Sequence, residues 1–251
     1  MNAYLCINLS KERYYSIARK VVDKLINDQH VNLIFAKEDE KFFGASDLTV
    51  DDADFIISIG GDGTLLKSGK LALEHDLPIV GINAGRAGYL CKFSIGDIMN
   101  STSNPFENMN VSLRDVLQME YEGNSTIAIN DYIFSSRNAG QTIVAGFAAG
   151  EKKLSYHASG VIVSSATGST AYNASASSCV LDCSLEANII TPICPCGEEK
   201  YSCVFRNDTD ITVFNMRPDD PIDIYCDGVY LGELNNEARI RKHERKLKLV
   251  I

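Results

Sequence analysis

Gly60-Gly61-Asp62-Gly63-Thr64 follows a short, mostly apolar run, Asp54 to Ile59, and leads into a stretch of helical pattern from about Thr64 to His75. A strand apolar on both faces belongs in a parallel sheet covered by helices. Three glycines let the backbone turn tightly and approach a ligand without Cβ atoms in the way, while the following helix points free N–H groups at the same spot. Such a turn suits a phosphate. The carboxylate in its middle would repel an anion unless it orients a hydroxyl, takes a proton or acts with Mg²⁺, so Asp62 reads as a catalytic base. Asp-Gly is also an ordinary turn dipeptide, which leaves a purely structural reading of this loop open.

The surrounding sequence repeats the strand-then-helix pattern. Ala3 to Leu9 predicts a first strand, and Ser10 an N-cap for a helix whose apolar face is Tyr14, Ile17, Ala18, Val21, Val22 and Leu25. Val31 to Ala36 and Ile79 to Ile82 predict two further strands, giving an α/β domain over residues 1–92. Gly81-Ile82-Asn83-Ala84-Gly85-Arg86-Ala87-Gly88-Tyr89 is a second glycine loop at the same carboxyl edge, where open α/β sheets bind ligands. Two loops at one edge outline a cleft, and Arg86 offers a forked donor for phosphate oxygens. Beyond Lys92 short alternating runs separated by turns predict an all-β domain over residues 93–237, with Ser101 to Asn110 as a loop inside it. Within it, Thr167-Gly168-Ser169-Thr170-Ala171-Tyr172 follows the strand Gly160 to Ser164 and opens a short helix reaching Cys179. Its hydroxyls and one aromatic face suit a planar base.

Composition narrows the partners. With 24 basic against 33 acidic residues the chain carries a net charge of −9, which argues against a sequence-independent grip on nucleic acid. The basic run Arg239 to Lys248 reads as solvated faces of the last strands. No apolar run is long enough to cross a membrane and no signal peptide pattern precedes Leu9, so a cytoplasmic protein is expected, its eight cysteines reduced.

Taken in order, GGDGT after a buried strand, GINxGxxGY, Asn130-Asp131, TGSTAYNxS and a late Asp227-Gly228 resemble the NAD kinase family, over roughly Asp54 to Gly228. The resemblance implies a Rossmann-like parallel-sheet domain followed by a β-sandwich, with residues 238–251 returning to the first domain and NAD bound between the two. It implies transfer of the terminal phosphoryl group of ATP or polyphosphate to the 2′-hydroxyl of the adenosine ribose of NAD, with Mg²⁺ bridging donor phosphates. By the same resemblance Asp62 is the base, Gly60, Gly61, Gly63 and Thr64 shape the loop around the phosphoryl group, and Asn130 and Asp131 fall where the family has Asn-Glu holding ribose hydroxyls. Tyr89 stands for a Phe flanking the nicotinamide side; Thr167, Thr170, Ala171, Tyr172 and Ser175 match residues around the adenine and its ribose. No protein metal ligands are implied. A homodimer or homotetramer is, with a neighbouring subunit completing the nicotinamide side.

The chain departs from the family pattern at several points. Ser159-Gly160 stands for Asp-Gly, Ser165-Ala166 for Thr-Pro before Thr167, Ser177-Ser178 for Gly-Gly, and Cys196 for a His. Two other readings remain at this level. A lipid or sugar kinase would share the GGDGT loop, and a non-catalytic dinucleotide-binding paralogue would keep the binding residues alone.

Overall fold

The computed structural model describes residues 1–7, 12–37, 39–44, 47–85, 88–138 and 140–251. Ser10, Arg86 and the Tyr14 side chain lie outside the described residues. The chain divides into two compact units, Met1–Leu113 with Leu247–Ile251, and Arg114–Lys246.

The first unit is α/β. Its elements are β1 (Asn2–Ile7), α1 (Glu12–Asn27), β2 (Asn32–Phe35), α2 (Glu40–Phe43), β3 (Phe55–Gly60), α3 (Asp62–Glu74), β4 (Ile79–Asn83), β5 (Phe93–Ser94), α4 (Ile95–Asn100) and β6 (Val111–Arg114). The sheet runs β2-β1-β3-β4, then the last strand of the chain, Leu247–Val250, then β6, with β5 beside β4. Strands β1 to β5 pair in parallel. β3 is buried along its whole length, as its apolar sequence requires of a central parallel strand. α1 buries Ala18, Val21, Val22 and Leu25 and turns Arg19, Lys20 and Asp23 to solvent, the predicted amphipathic face.

The division between units falls at Leu113, not at Lys92, and the physical reason is aromatic packing. Phe106 is buried with its ring centroid 5.2 Å from that of Phe55 and 6.0 Å from that of Phe93, which fastens the stretch after β4 to the first core. Ser101 to Asn110 therefore belongs to the first unit rather than to a loop of the second. α4 lies in the same stretch and escapes sequence reading because Ile98 is its one buried residue; a capping box between Ser94 and Asp97 starts it. At the other end Glu237–Lys242 stays in the second unit, so the returning tail is only Leu247–Ile251.

The second unit is antiparallel β. Its strands are β7 (Leu117–Tyr121), β8 (Asn124–Ala128), β9 (Asp131–Ser136), β10 (Ile143–Ala149), β11 (Lys152–Ala158), β12 (Gly160–Ser165), β13 (Ala187–Ile193), β14 (Cys203–Arg206), β15 (Ile211–Asn215), β16 (Ile222–Cys226), β17 (Val229–Glu233) and β18 (Glu237–Lys242). They form two six-stranded sheets, β11-β10-β15-β18-β7-β8 and β14-β13-β12-β9-β16-β17. One apolar core is shared by both sheets, with Phe134 of one edge-on to Phe147 of the other at 6.4 Å. The predicted helix after Gly168 is shorter than expected: a 3-10 turn, Thr167–Thr170, then α5 (Tyr172–Ala176). Cys179 therefore lies beyond the helix, and all eight cysteines are free thiols. The basic C-terminal run is spent on carboxylates, Arg241 on Glu120 and Lys246 on Asp115 and Glu186.

Leu247, Leu249 and Val250 are each 2% exposed or less. Burial of each contributes about 1.5–3 kcal/mol, together close to the whole stability of a domain. A chain ending at Lys246 is expected to lose the first unit's cooperative thermal unfolding, or to show a midpoint lower by more than about 10 °C, measured by calorimetry.

Candidate active site

In the first unit the site is built at the carboxyl edge of the sheet. β3 ends at Gly60, where a Cβ atom would run into the Thr64 side chain, so the glycine lets the first turn of α3 fold back on the strand. At Gly61 and Gly63 a Cβ atom would meet nothing within 4 Å. Two of the three glycines thus leave the backbone open to a ligand. A cavity of about 230 Å³ adjoins this turn, lined by Cys6 and Ile7 at the end of β1, Ala36 after β2, and Thr64, Lys67 and Ser68 on α3. It lies where the chain order reverses between β1 and β3, the switch point at which open α/β sheets take ligands.

α3 begins at Asp62, two residues earlier than the sequence predicts, which puts the carboxylate in the first helical turn. Free N–H groups there favour negative charge. Asp62 Oδ2 accepts the Tyr89 N–H at 2.9 Å and Oδ1 the Leu90 N–H at 3.3 Å. The loop presses close: a Cβ atom at Gly88 would lie 2.8 Å from Oδ1. Both predicted glycine loops therefore meet at one carboxylate. Tyr89 itself is 81% exposed.

In the second unit Asn130, Asp131 and the turn Thr167–Thr170 come together through the backbone. Ser165 Oγ donates to Ile129 O at 2.7 Å and accepts the Gly168 N–H at 3.0 Å, while Ser165 N donates to Asn130 O at 2.9 Å. A Cβ atom at Gly168 would collide with the Asn130 backbone, so only glycine allows this approach. Asn173, fully buried, donates to Ser169 O and Cys179 O and accepts from Thr191, which pins the far side of the turn. Thr170 Oγ1 donates to Thr167 O, and Tyr172 and Ser175 are exposed on α5.

Asp227 had no role in the sequence reading beyond its place in the pattern. It sits with Gly228 at the tip of the β16–β17 hairpin, φ 48° and 80°, as a two-residue turn with both residues left-handed demands. Its carboxylate accepts the N–H groups of Asn130 at 2.8 Å, Ile129 at 3.0 Å and Asp131 at 3.3 Å. The signal lies in three-dimensional contact across 96 to 98 residues, which local pattern does not carry. Asp131 itself is 3% exposed, and burial, then the charge of Asp227, push its carboxyl up to about 7.

Ser159 is not brought to this cluster. It precedes β12 and bonds to Ile193 O, whereas Ser165 ends the same strand, so the two lie at opposite ends of β12.

The model of the ATP-NAD kinase N-terminal domain matches residues 7–121 and that of the ATP-NAD kinase C-terminal domain residues 133–250. The chain belongs to the NAD kinase family. Among its relatives are an NAD kinase of Caldicellulosiruptor bescii, 29% identical over 98% of this chain and 93% of the relative, and one of Methanothermobacter thermautotrophicus, 30% identical over 79% and 72%. In fold it is similar to yeast NADH kinase complexed with NADH (TM-score 0.80, 18% identity, 100% of this chain and 83% of that one). An NAD kinase from Archaeoglobus fulgidus in complex with ATP is similar too (TM-score 0.74, 22% identity, 100% and 94%). The match of the second half to an NAD kinase domain separates this chain from lipid and sugar kinases, whose likeness to it lies in the GGDGT loop.

For this NAD kinase family member the environment of Asp131 sets a stability cost. The folded state holds the proton more tightly than the unfolded chain, so stability falls as pH rises from about 4 to 7 and the full penalty, up to about 4 kcal/mol, applies above that. Asp131→Asn is expected to unfold at higher temperature than wild type at pH 8 and to lose that advantage at pH 4, in thermal melts at the two pH values.

Proposed function

We propose that this protein transfers the terminal phosphoryl group of ATP, or of polyphosphate, to the 2′-hydroxyl of the adenosine ribose of NAD, giving NADP. The observation that carries the reading is Asp62: a carboxylate in the first turn of α3, fixed by two backbone N–H groups and flanked by glycines that leave the loop open. Phosphoryl transfer asks the protein mainly to position and to stabilise charge. Asp62 takes the proton of the 2′-hydroxyl as its oxygen bonds to the terminal phosphorus, and the bond to the bridging oxygen breaks with its electron pair leaving on the remainder of the donor. Gly60, Gly61, Gly63 and Thr64 shape the loop around the phosphoryl group, and the N-terminus of α3 and Arg86 offset its charge.

Mg²⁺ enters as part of the donor. When bound it neutralises charge between the donor's phosphate groups.

Asn130 and Asp131 hold the ribose hydroxyls, Tyr89 flanks the nicotinamide side, and Thr167, Thr170, Ala171, Tyr172 and Ser175 surround the adenosine. Ser159, at the other end of β12, offers a hydroxyl to the dinucleotide where the family has a carboxylate, and a neighbouring subunit of a homodimer or homotetramer completes the nicotinamide side. No described helix is long and apolar enough to cross a membrane, and we place the protein in the cytoplasm.

Asp62→Asn is expected to lower NADP formation, assayed with Mg²⁺, ATP and NAD, by about a thousandfold; activity within about tenfold of wild type would remove Asp62 as the base. Dinucleotide binding by wild type without turnover would identify a non-catalytic paralogue instead. Because ribose hydroxyls need an ionised acceptor and the Asp131 carboxyl is pushed up to about 7, KM for NAD is expected to rise as pH falls from 8 to 6. In Asp131→Asn it should be raised throughout and flat with pH, in initial-rate measurements.

A further inference from the structure

Asp62 has a third neighbour that the sequence pattern does not single out. Cys91 Sγ lies 3.8 Å from Asp62 Oδ1, the oxygen that has only the long Leu90 bond, whereas Oδ2 has the short one to Tyr89. The thiol is wedged in place from behind. A Cβ atom at Gly81 on β4 would lie 2.8 Å from Cys91 Sγ and 2.9 Å from Cys91 Cα, so the glycine makes room for it against the strand. Burial, then the charge and the hydrogen bond of Asp62, push the thiol up to about 12, so it stays a proton donor across the neutral range and never competes as an anion.

We propose that Cys91 is a positioning residue for the base, its S–H bonding Asp62 Oδ1 so that the carboxylate is fixed on both oxygens by the one turn, residues 88–91. The inference rests on the reading of Asp62 as the base. A thiol suits the task because it is a weak donor: it restrains the oxygen while leaving it able to accept a stronger hydroxyl proton. Thr64 and Ser68 on α3 put hydroxyls near the same helix turn, but the single Ser68 O–H is taken up by Thr64 O at 2.8 Å, with Ser58 Oγ at 3.0 Å, and Thr64 packs on Gly60, so neither takes over the restraint of Oδ1.

The test compares Cys91→Val, which keeps bulk and loses the donor, with Cys91→Ser, which keeps a donor, and Cys91→Ala, which loses both. In steady-state assays with Mg²⁺, ATP and NAD, Val and Ala are expected to lower kcat about fivefold with both KM values within about twofold, and Ser to recover most of the loss. Wild-type kcat in Cys91→Val, an impairment in Ser equal to that in Ala, or a loss confined to KM would each overturn the proposal. A readout independent of turnover is the thermal double-mutant cycle of Asp62→Asn with Cys91→Val. Coupled, sub-additive shifts in melting temperature support the bond and additive shifts refute it. If wild type itself makes no NADP, the reading of the enzyme has failed, while the cycle still reports on the bond.

Discussion

A carboxylate that closes one element by accepting backbone N–H groups of a distant loop is the interaction on which both halves of this protein depend. Asp62 does this for Tyr89 and Leu90, and Asp227 for Ile129, Asn130 and Asp131. Loop N–H groups held this way lose their need for water and their freedom together, and charge-assisted bonds of this kind are among the stronger ones available to a loop. The two cases differ in what is left over. At Asp227 three donors occupy the carboxylate and its work is structural. At Asp62 two N–H groups and a weak thiol leave accepting capacity on a carboxylate that is not fully buried.

The net charge of −9 sharpens this contrast. An acidic protein that handles a dinucleotide and a phosphoryl donor cannot rely on a broad positive field, so its attraction for anions must be local. The structure supplies it with dipoles: a helix beginning at Asp62 and glycine backbones free of side chains. The basic C-terminal run contributes little, since Arg241, Lys242 and Lys246 are engaged by Glu120, Asp115 and Glu186. Asp131 shows the opposite arrangement, a carboxylate placed where burial and then the neighbouring charge of Asp227 oppose ionisation.

Much of this was legible in the sequence because it is local. Buried β3 running into three glycines, the 3.6-residue face of α1 and the alternation of the later strands each lie within a short window. The boundary was not, because Phe106 is fastened to the first core by a contact with Phe55 that no window spans. The start of α3 shifted to Asp62 because a glycine-rich stretch has poor helix propensity and tertiary packing overrode it, the Thr64 side chain folding onto Gly60. Cys91 stayed silent, and the role of Asp227 hidden, for the same reason as Phe106. Their roles exist only as distances between residues far apart in the chain.

The departures from the family pattern sort by the same physics. Ser165 in place of Thr keeps the hydroxyl that ties Ile129 O to the Gly168 N–H, so the turn is unaffected by the change. Ser177, in place of glycine, gains a role: its hydroxyl accepts the Cys179 N–H and the Ser202 hydroxyl, joining the segment that Asn173 pins. Cys196, in place of His, holds its loop by backbone and thiol bonds to His157 O, a job that asks nothing of an imidazole. Only Ser159 exchanges a charge for a hydroxyl, and it does so at the end of β12 away from Asn130 and Asp131. Of these substitutions Ser165 preserves a bonding atom, while Ser177 and Cys196 bring side-chain bonds of their own.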